Sequence, residues 1–378
     1  MTRECYMGKN LPIQYLRAFA ALLVVAFHAP ATIAAFGNSL PLLRAGAYGV
    51  DIFFVISGFI MGATGASGGS SRADFILKRL VRIVPLYWIT TLCTVALAVL
   101  APGLMRSTVI DISSVGKSLF FIPHFSHAHP GNVWPIVVPG WTLNFEMFFY
   151  ALVAVVIPFA TRARAVAISV IFLMFIAAGF AFHSTNAIFL TYTNTLLFEF
   201  ILGMWIAIFH HRGRLPNRWL ALPIFLFGCV LLFAADATSR GFTKGIPAAM
   251  IVLGALVILR DFKSQILEYI GDASYAIYLV QFFSFGIVRA LWTLAGVRGT
   301  TPVHAMLYVA LSVIGCVISG LAVYALVERP MTRYLKQLIQ RLARTGRVRV
   351  TDRLSPIVGE SSRPTMNSQV HLGADGQP

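Results

Sequence analysis

Residues 13–36 read Ile13-QYLRAFAALLVVAFHAPATIAA-Phe36. Arg17 and His28 interrupt a run that is otherwise apolar and long enough to cross a bilayer as a helix. The two residues are eleven positions apart. That is almost three whole turns, so both side chains share one face about 16 Å apart along the axis. A charged or titratable group in hydrocarbon costs several kcal/mol, so such groups face the bundle interior and mark a pathway or a reaction site. A plainer interpretation also fits: Arg17 snorkels to the interface and His28 is a hydrogen-bonded packing residue.

The rest of the chain extends the pattern. Its 378 residues are 58% hydrophobic and 12% charged, about half the charged share of a soluble domain, with a mean hydropathy of +0.78. Apolar runs fall at approximately 12–35, 46–66, 83–101, 140–160, 165–182, 188–209, 219–235, 245–259, 273–294 and 303–327. An all-α polytopic membrane protein with about ten transmembrane helices is expected. The shortest runs, 219–235 and 245–259, carry Pro223 and Pro247. The first run is too long for a signal peptide and lacks a small-residue cleavage pattern, so it reads as a retained anchor. The chain divides into a membrane domain, 1–335, and a tail, 336–378, basic at first and then polar and disordered.

Loop charge sets the orientation. Of the 30 Lys and Arg, 22 lie on the side shared by the N-terminus, the even-numbered loops and the tail, and 6 on the other. Both termini are therefore expected in the cytoplasm. The net charge of +16 suits an anionic lipid surface and calls for no nucleic acid. Cys5, Cys93, Cys229 and Cys316 show neither a disulfide framework nor zinc-ligand spacing. His124, His127 and His129 cluster in an outer loop rich in Pro and aromatics, and no metal is expected.

With this orientation Arg17 lies toward the cytoplasm and His28 in the outer half. Span 4 runs inward from Gly140, which puts Glu146 roughly 9 Å below the outer surface. Asp51, near the outer start of span 2, has comparable depth. If these helices are neighbours, Glu146 or Asp51 sets the imidazole and leaves its other nitrogen as a base. Alternatively, Glu146 pairs with another polar group to hold helices together. Thr142, Glu146 and Tyr150 recur every four residues and form one polar stripe. On the inner side Lys78, Arg79 and Arg82 share a broad helical face that suits phosphate oxygens, although positive-inside bias alone also places Arg there. Pro85, Tyr87 and Trp88 read as an interfacial belt. Ser57-Gly58 in mid-span allows close helix approach. The Gly- and Ser-rich run 62–71 is either a mobile lid over the basic face or a plain linker.

Five strings in order carry a resemblance. They are Arg17-x10-His28, the segment from Gly49-Val-Asp51 through Phe53-Phe54 to Ser57-Gly58-Phe59, Arg79-x-x-Arg82-Ile-x-Pro85-x-Tyr87-Trp88, Trp141-Thr-Leu-x-x-Glu146-x-x-Phe149-Tyr150, and Ser274-Tyr275-x-Ile-Tyr278-Leu279. Over residues 12–335 the chain resembles the membrane-bound acyltransferase-3 family, bacterial O-acyltransferases of surface and exported glycans. Within it the chain looks most similar to the exopolysaccharide acetyltransferases. One place departs: where the family often has a His two positions after Leu279, this chain has Gln281. Glu328-Arg329-Pro330 is similar to the family's closing motif and reads as structural.

The resemblance implies a multi-pass protein of the bacterial inner membrane. The implied acyl donor is cytoplasmic acetyl-CoA, its phosphates on Arg79, Arg82 and Lys78 with Tyr87 beside them. His28 would act as base on a sugar hydroxyl, with Glu146 or Asp51 setting the imidazole. Arg17 would steady the donor or polarise its carbonyl. Trp141, Tyr150, Ser274, Tyr278 and Gln281 would touch the acceptor, a polysaccharide or its lipid-linked precursor, within a polysaccharide-synthesis complex. The rival expectation is a secondary transporter or flippase for a lipid-linked sugar, although no repeated pair of broken helices is visible.

Overall fold

The computed structural model describes residues 9–33, 44–64, 71–103, 109–234, 239–297 and 301–344. Cys5, most of the 62–71 connection and the tail from 345 lie outside the described residues. The helices are α1 (Leu11–Ile33), α2 (Gly49–Ala63), α3 (Arg72–Leu100), α4 (Ile112–Leu119), α5 (Trp141–Val156), α6 (Thr161–Ala181) and α7 (Ala187–Tyr192). They continue with α8 (Leu197–His211), α9 (Arg218–Ala234), α10 (Arg240–Thr243), α11 (Gly245–Ile258), α12 (Gln265–Leu294), α13 (Pro302–Val323) and α14 (Arg329–Arg344). Lipid offers no partner to a bare peptide group, so apolar runs of this length close all their hydrogen bonds within a helix.

Among the described residues, nine helical stretches are long and apolar enough to cross a membrane. Among the described residues each of the ten expected runs holds a helix, and the run 188–209 holds two, α7 and α8, parted at residues 193–196. The exception is α9, whose 17 residues include Pro223 and span about 25 Å, short of a hydrocarbon core of about 30 Å; α2, α5, α8 and α11 reach span length together with the helical turns that adjoin them. Two helices are longer than their apolar runs because polar caps start them early. Ser71 accepts the Asp74 N–H at the start of α3, and Ser264 accepts the Leu267 N–H at the start of α12. Lys78, Arg79 and Arg82 therefore sit inside α3, in register with the apolar part that follows.

The centre of the bundle is the crossing of α2 and α8. A Cβ on Gly58 would strike the Phe200 carbonyl, and one on Gly203 would strike the Val55 carbonyl. Only glycine lets these backbones come so close. Phe54, Phe149, Phe172 and Phe200 fill the space beside the crossing and are almost fully buried. Helix α1 packs on α2, α12 and α13, whereas α5 packs on α2, α3 and α6. At the α1–α12 contact, Gly271 admits the backbone of Gln14. After α13 the chain widens into a π-helical stretch, Tyr324–Glu328, a geometry often found at functional sites. It turns Glu328 inward, where it is buried. Helix α14 follows without a break at residue 335 and lies against α3.

Candidate active site

Charged side chains from five segments converge inside the bundle. Arg17 on α1, only 9% exposed, feels Glu328, Asp272 and Glu146 as attractive partners and Arg82 as a repulsive one. Its Nη1 donates to Gln14 Oε1 at 3.2 Å. Arg79 on α3 lies over the rings of Phe75 at 5.6 Å and Tyr150 at 5.7 Å. Ser57 donates to Glu146 Oε1 at 2.6 Å and Tyr150 donates to Oε2 at 3.2 Å. Three guanidiniums (Arg17, Arg79, Arg82) thus interleave with three carboxylates (Glu146, Asp272, Glu328). Paired charge of this kind is what makes ionised groups tolerable in a low dielectric. Arg79 Nε and Glu328 Oε2 are buried without a hydrogen-bond partner, which leaves capacity for a ligand.

His28 sits apart from this cluster, near the other end of α1. Its Nδ1 is 2.9 Å from the Val24 carbonyl. A carbonyl only accepts, so Nδ1 carries the proton and Nε2 of the neutral ring keeps its lone pair. Phe27 and Phe282 meet the ring edge-on at 4.8 Å and 5.4 Å. The Gln281 side chain lies beside the imidazole. Its Nε2 donates to the Tyr278 carbonyl at 2.9 Å, which leaves the imidazole as its other polar neighbour.

The expected setting of His28 by Glu146 or Asp51 is not what the structure shows. Equal depth says nothing about which helices are neighbours. His28 faces α12 and meets Gln281. Glu146 is on α5, which packs on α2 and α3, and its partners are Ser57, Tyr150 and the arginines. Asp51 is fully buried and held by Arg240, whose Nε donates at 3.0 Å and Nη2 at 2.6 Å. Arg240 Nη2 also donates to the Ala47 carbonyl at 2.8 Å. Glu199 lies within the same charge group. Lys244 donates to the Leu232 carbonyl at 3.0 Å and stands 4.0 Å over the Tyr48 ring. Arg240 and Lys244, outer-loop charges by sequence position, are folded into the bundle by α10.

The other expected site residues divide between the two ends. Tyr150 belongs to the arginine cluster. Tyr278 donates to the Pro139 carbonyl at 3.0 Å and is 3.2 Å from the Thr142 hydroxyl, tying α12 to the start of α5. Trp141 packs edge-on against Phe54 and Phe145. Ser274 is fully buried with Oγ unpartnered. Tyr87 does not line the arginines: it stacks on Phe121 at 4.9 Å and presses against Gly140. Lys78 lies near the start of α3, in range of Lys336 on α14. Sequence reasoning misses Asp272 and Lys336, and it gives Glu328 only a structural part. Asp272 has one signal: it lies three residues before Tyr275, on the same helical face.

The segment between α3 and α5 closes over the Tyr87 end. Trp88 Nε1 donates to the Leu119 carbonyl at 2.8 Å. The three loop histidines have separate contacts: His124 with the Ile122 carbonyl, His127 with Ser114, and His129 with the Trp134 ring. Desolvation holds the His124 imidazole below its usual pKa, so it is neutral at pH 7.

Comparison with known proteins agrees with this architecture. Residues 10–321 match the family described as "Acyltransferase domain". The chain is 36% identical over 296 residues to "Exopolysaccharide production protein ExoZ" of Rhizobium meliloti (strain 1021), covering 76% of this chain and 90% of that protein. It is 28% identical over 348 residues to "Putative membrane-bound transacylase BcsY" of Komagataeibacter xylinus, covering 85% of this chain and 83% of that protein. No solved structure matches. A family match over nearly the whole helical bundle, joined to a relative at this identity and coverage, places the chain in the acyltransferase-3 family of membrane-spanning acyltransferases.

Proposed function

We propose that this chain is an O-acetyltransferase of the bacterial cytoplasmic membrane. It would move an acetyl group from cytoplasmic acetyl-CoA to a hydroxyl of an exported polysaccharide or its lipid-linked precursor. The observation that carries this reading is the polarity of α1. A buried arginine cluster stands at one end, and a histidine whose Nε2 keeps its lone pair, beside Gln281, stands three turns away at the other. Anionic phosphates fit the first, and a neutral sugar hydroxyl fits the second. The names of the two relatives, one an exopolysaccharide production protein and one a membrane-bound transacylase, favour a polysaccharide acceptor.

In this reading the donor enters from the cytoplasmic side with its phosphates on Arg79, Arg82 and Lys78. Arg17, about 16 Å from His28 along the helix, serves the anionic end of the donor and is too far to polarise the thioester. His28 Nε2 takes the proton of the acceptor hydroxyl, and the oxygen attacks the thioester carbonyl. The C–S bond breaks, and the thiolate leaves with that proton as free thiol. Val24 fixes the tautomer. Gln281 Oε1 is placed to accept a hydrogen bond from the sugar. Membership of a polysaccharide-synthesis complex belongs to the same proposal.

The test is product chemistry. Purified chain in lipid nanodiscs, given acetyl-CoA radiolabelled in the acetyl group and a cell-wall glycan extract, should leave label covalently on glycan. His28→Ala should lower that rate by about 10²–10⁴-fold with unchanged elution from a sizing column. Full labelling by His28→Ala, or glycan left unlabelled by the folded wild type, refutes the reading.

A further inference from the structure

The basic face at the start of α3 carries more positive charge than the bundle interior balances. Arg79 and Arg82 reach inward, where Glu146 acts on the first and Glu328 on the second. Lys78 lies one turn nearer the helix start than Arg82, about 6 Å along the axis. Helix α14 packs against α3, and Lys336 on it lies within electrostatic range of Lys78, Arg79 and Arg82. The charged groups acting on Lys336 are Arg82, Lys78 and Arg79, all of them cations. Lys336 is only half-exposed. Arg329, two turns earlier on the same face of α14, has its Nε buried without a partner, as does Arg79 on α3. Like charges gathered in partly desolvated surroundings repel one another, and an anion lying among them reverses the sign of that energy.

We propose that Lys336 completes a phosphate-binding mouth with Lys78, Arg79 and Arg82, so that α14 supplies part of the donor site. Residue 336 lies beyond the family match, which ends at residue 321. The inference rests on the acyl-CoA reading above and names the part of the donor that Lys336 holds. A CoA thioester carries a diphosphate in its arm and a 3′-phosphate on its ribose. If the thioester points toward His28, the ribose end is the last to enter. The inner guanidiniums then take the diphosphate, whose paired oxygens suit the Arg fork. The two lysines nearest the mouth take the 3′-phosphate as point charges. A lipid headgroup carries the same phosphate chemistry, and the experiment separates the two sources.

Full-length chain in phosphatidylcholine nanodiscs is titrated calorimetrically with CoA and with 3′-dephospho-CoA. Wild type should bind CoA about tenfold more tightly than dephospho-CoA. Lys336→Gln should erase that preference while leaving the dephospho-CoA affinity within about twofold, and Lys336→Arg should restore the preference. Equal weakening toward both nucleotides, or no change toward either, overturns the assignment of Lys336. An effect of Lys336→Gln confined to nanodiscs containing phosphatidylglycerol assigns the lysine to lipid and overturns it as well. Wild type that binds neither nucleotide overturns the acyl-CoA reading, and this inference with it.

Discussion

Replacing Asp51 by Ala should weaken the fold more than the chemistry. Arg240 donates to the Asp51 carboxylate at 3.0, 3.3 and 2.6 Å. The carboxylate is fully buried, while the Arg240 side chain is 27% exposed. Removing one partner of a buried ion pair costs about 3–5 kcal/mol. Two features reduce that here. Solvent reaching Arg240 screens the pair, and Glu199, which already acts on Arg240, can receive the guanidinium. The expected loss is therefore about 2 kcal/mol, or a fall of about 4–8 °C in apparent melting temperature. Arg240→Ala should cost a similar amount. The double variant should lose less than the sum by roughly 1–2 kcal/mol, because the second change removes a group that the first left unpaired. The assay is thermal unfolding in one fixed detergent, followed by acyl transfer normalised to folded protein. Unchanged melting of Asp51→Ala together with abolished transfer would falsify the structural role and return Asp51 to the reaction.

Two further expectations concern the arginine cluster and the central crossing. Ser57→Ala removes the 2.6 Å hydrogen bond to Glu146, and hydrogen bonds to charged groups contribute about 1.5–3 kcal/mol. Its effect should be a donor KM raised about tenfold, with kcat changed less; a loss confined to kcat would mean that Glu146 serves the His28 end after all. Gly203→Ala places a methyl group on the Val55 carbonyl and should cost about 1–3 kcal/mol, read as a lower yield of monodisperse protein. A variant that purifies and melts like wild type would show that α2 and α8 do not cross so closely.

Much of the helix inventory is legible in the amino-acid order, since run length and hydropathy are local properties. The broad cationic face of Lys78, Arg79 and Arg82 follows from helical phase in the same way. The fate of α10 does not follow. Arg240 and Lys244 stand between two apolar runs and look like loop charges. Their burial depends on Asp51, nearly two hundred residues away in sequence, and on the Tyr48 ring and the Leu232 carbonyl. Glu328 is visible at the C-terminal end of the last apolar run, but its turn into the bundle comes from the π-helical stretch that carries it. Lys336 sits in what looks like the start of a basic tail. Only the packing of α14 on α3 brings it to the other cations.

The pairing around His28 marks the boundary most sharply. Composition, spacing and loop charge alone determined that this is a helical membrane protein with a titratable face on its first span. Residue counting also spaces the polar groups along each helix axis, because rise per residue is nearly constant. Axial position leaves azimuth and neighbour open, and these are settled by which helices interlock. The glycines of α2 and α8 and the contact of Gln14 with Gly271 make those choices. Tertiary structure alone therefore gave the imidazole an amide companion from α12 and sent both carboxylates to arginines, because a side chain answers to whatever its helix packs against.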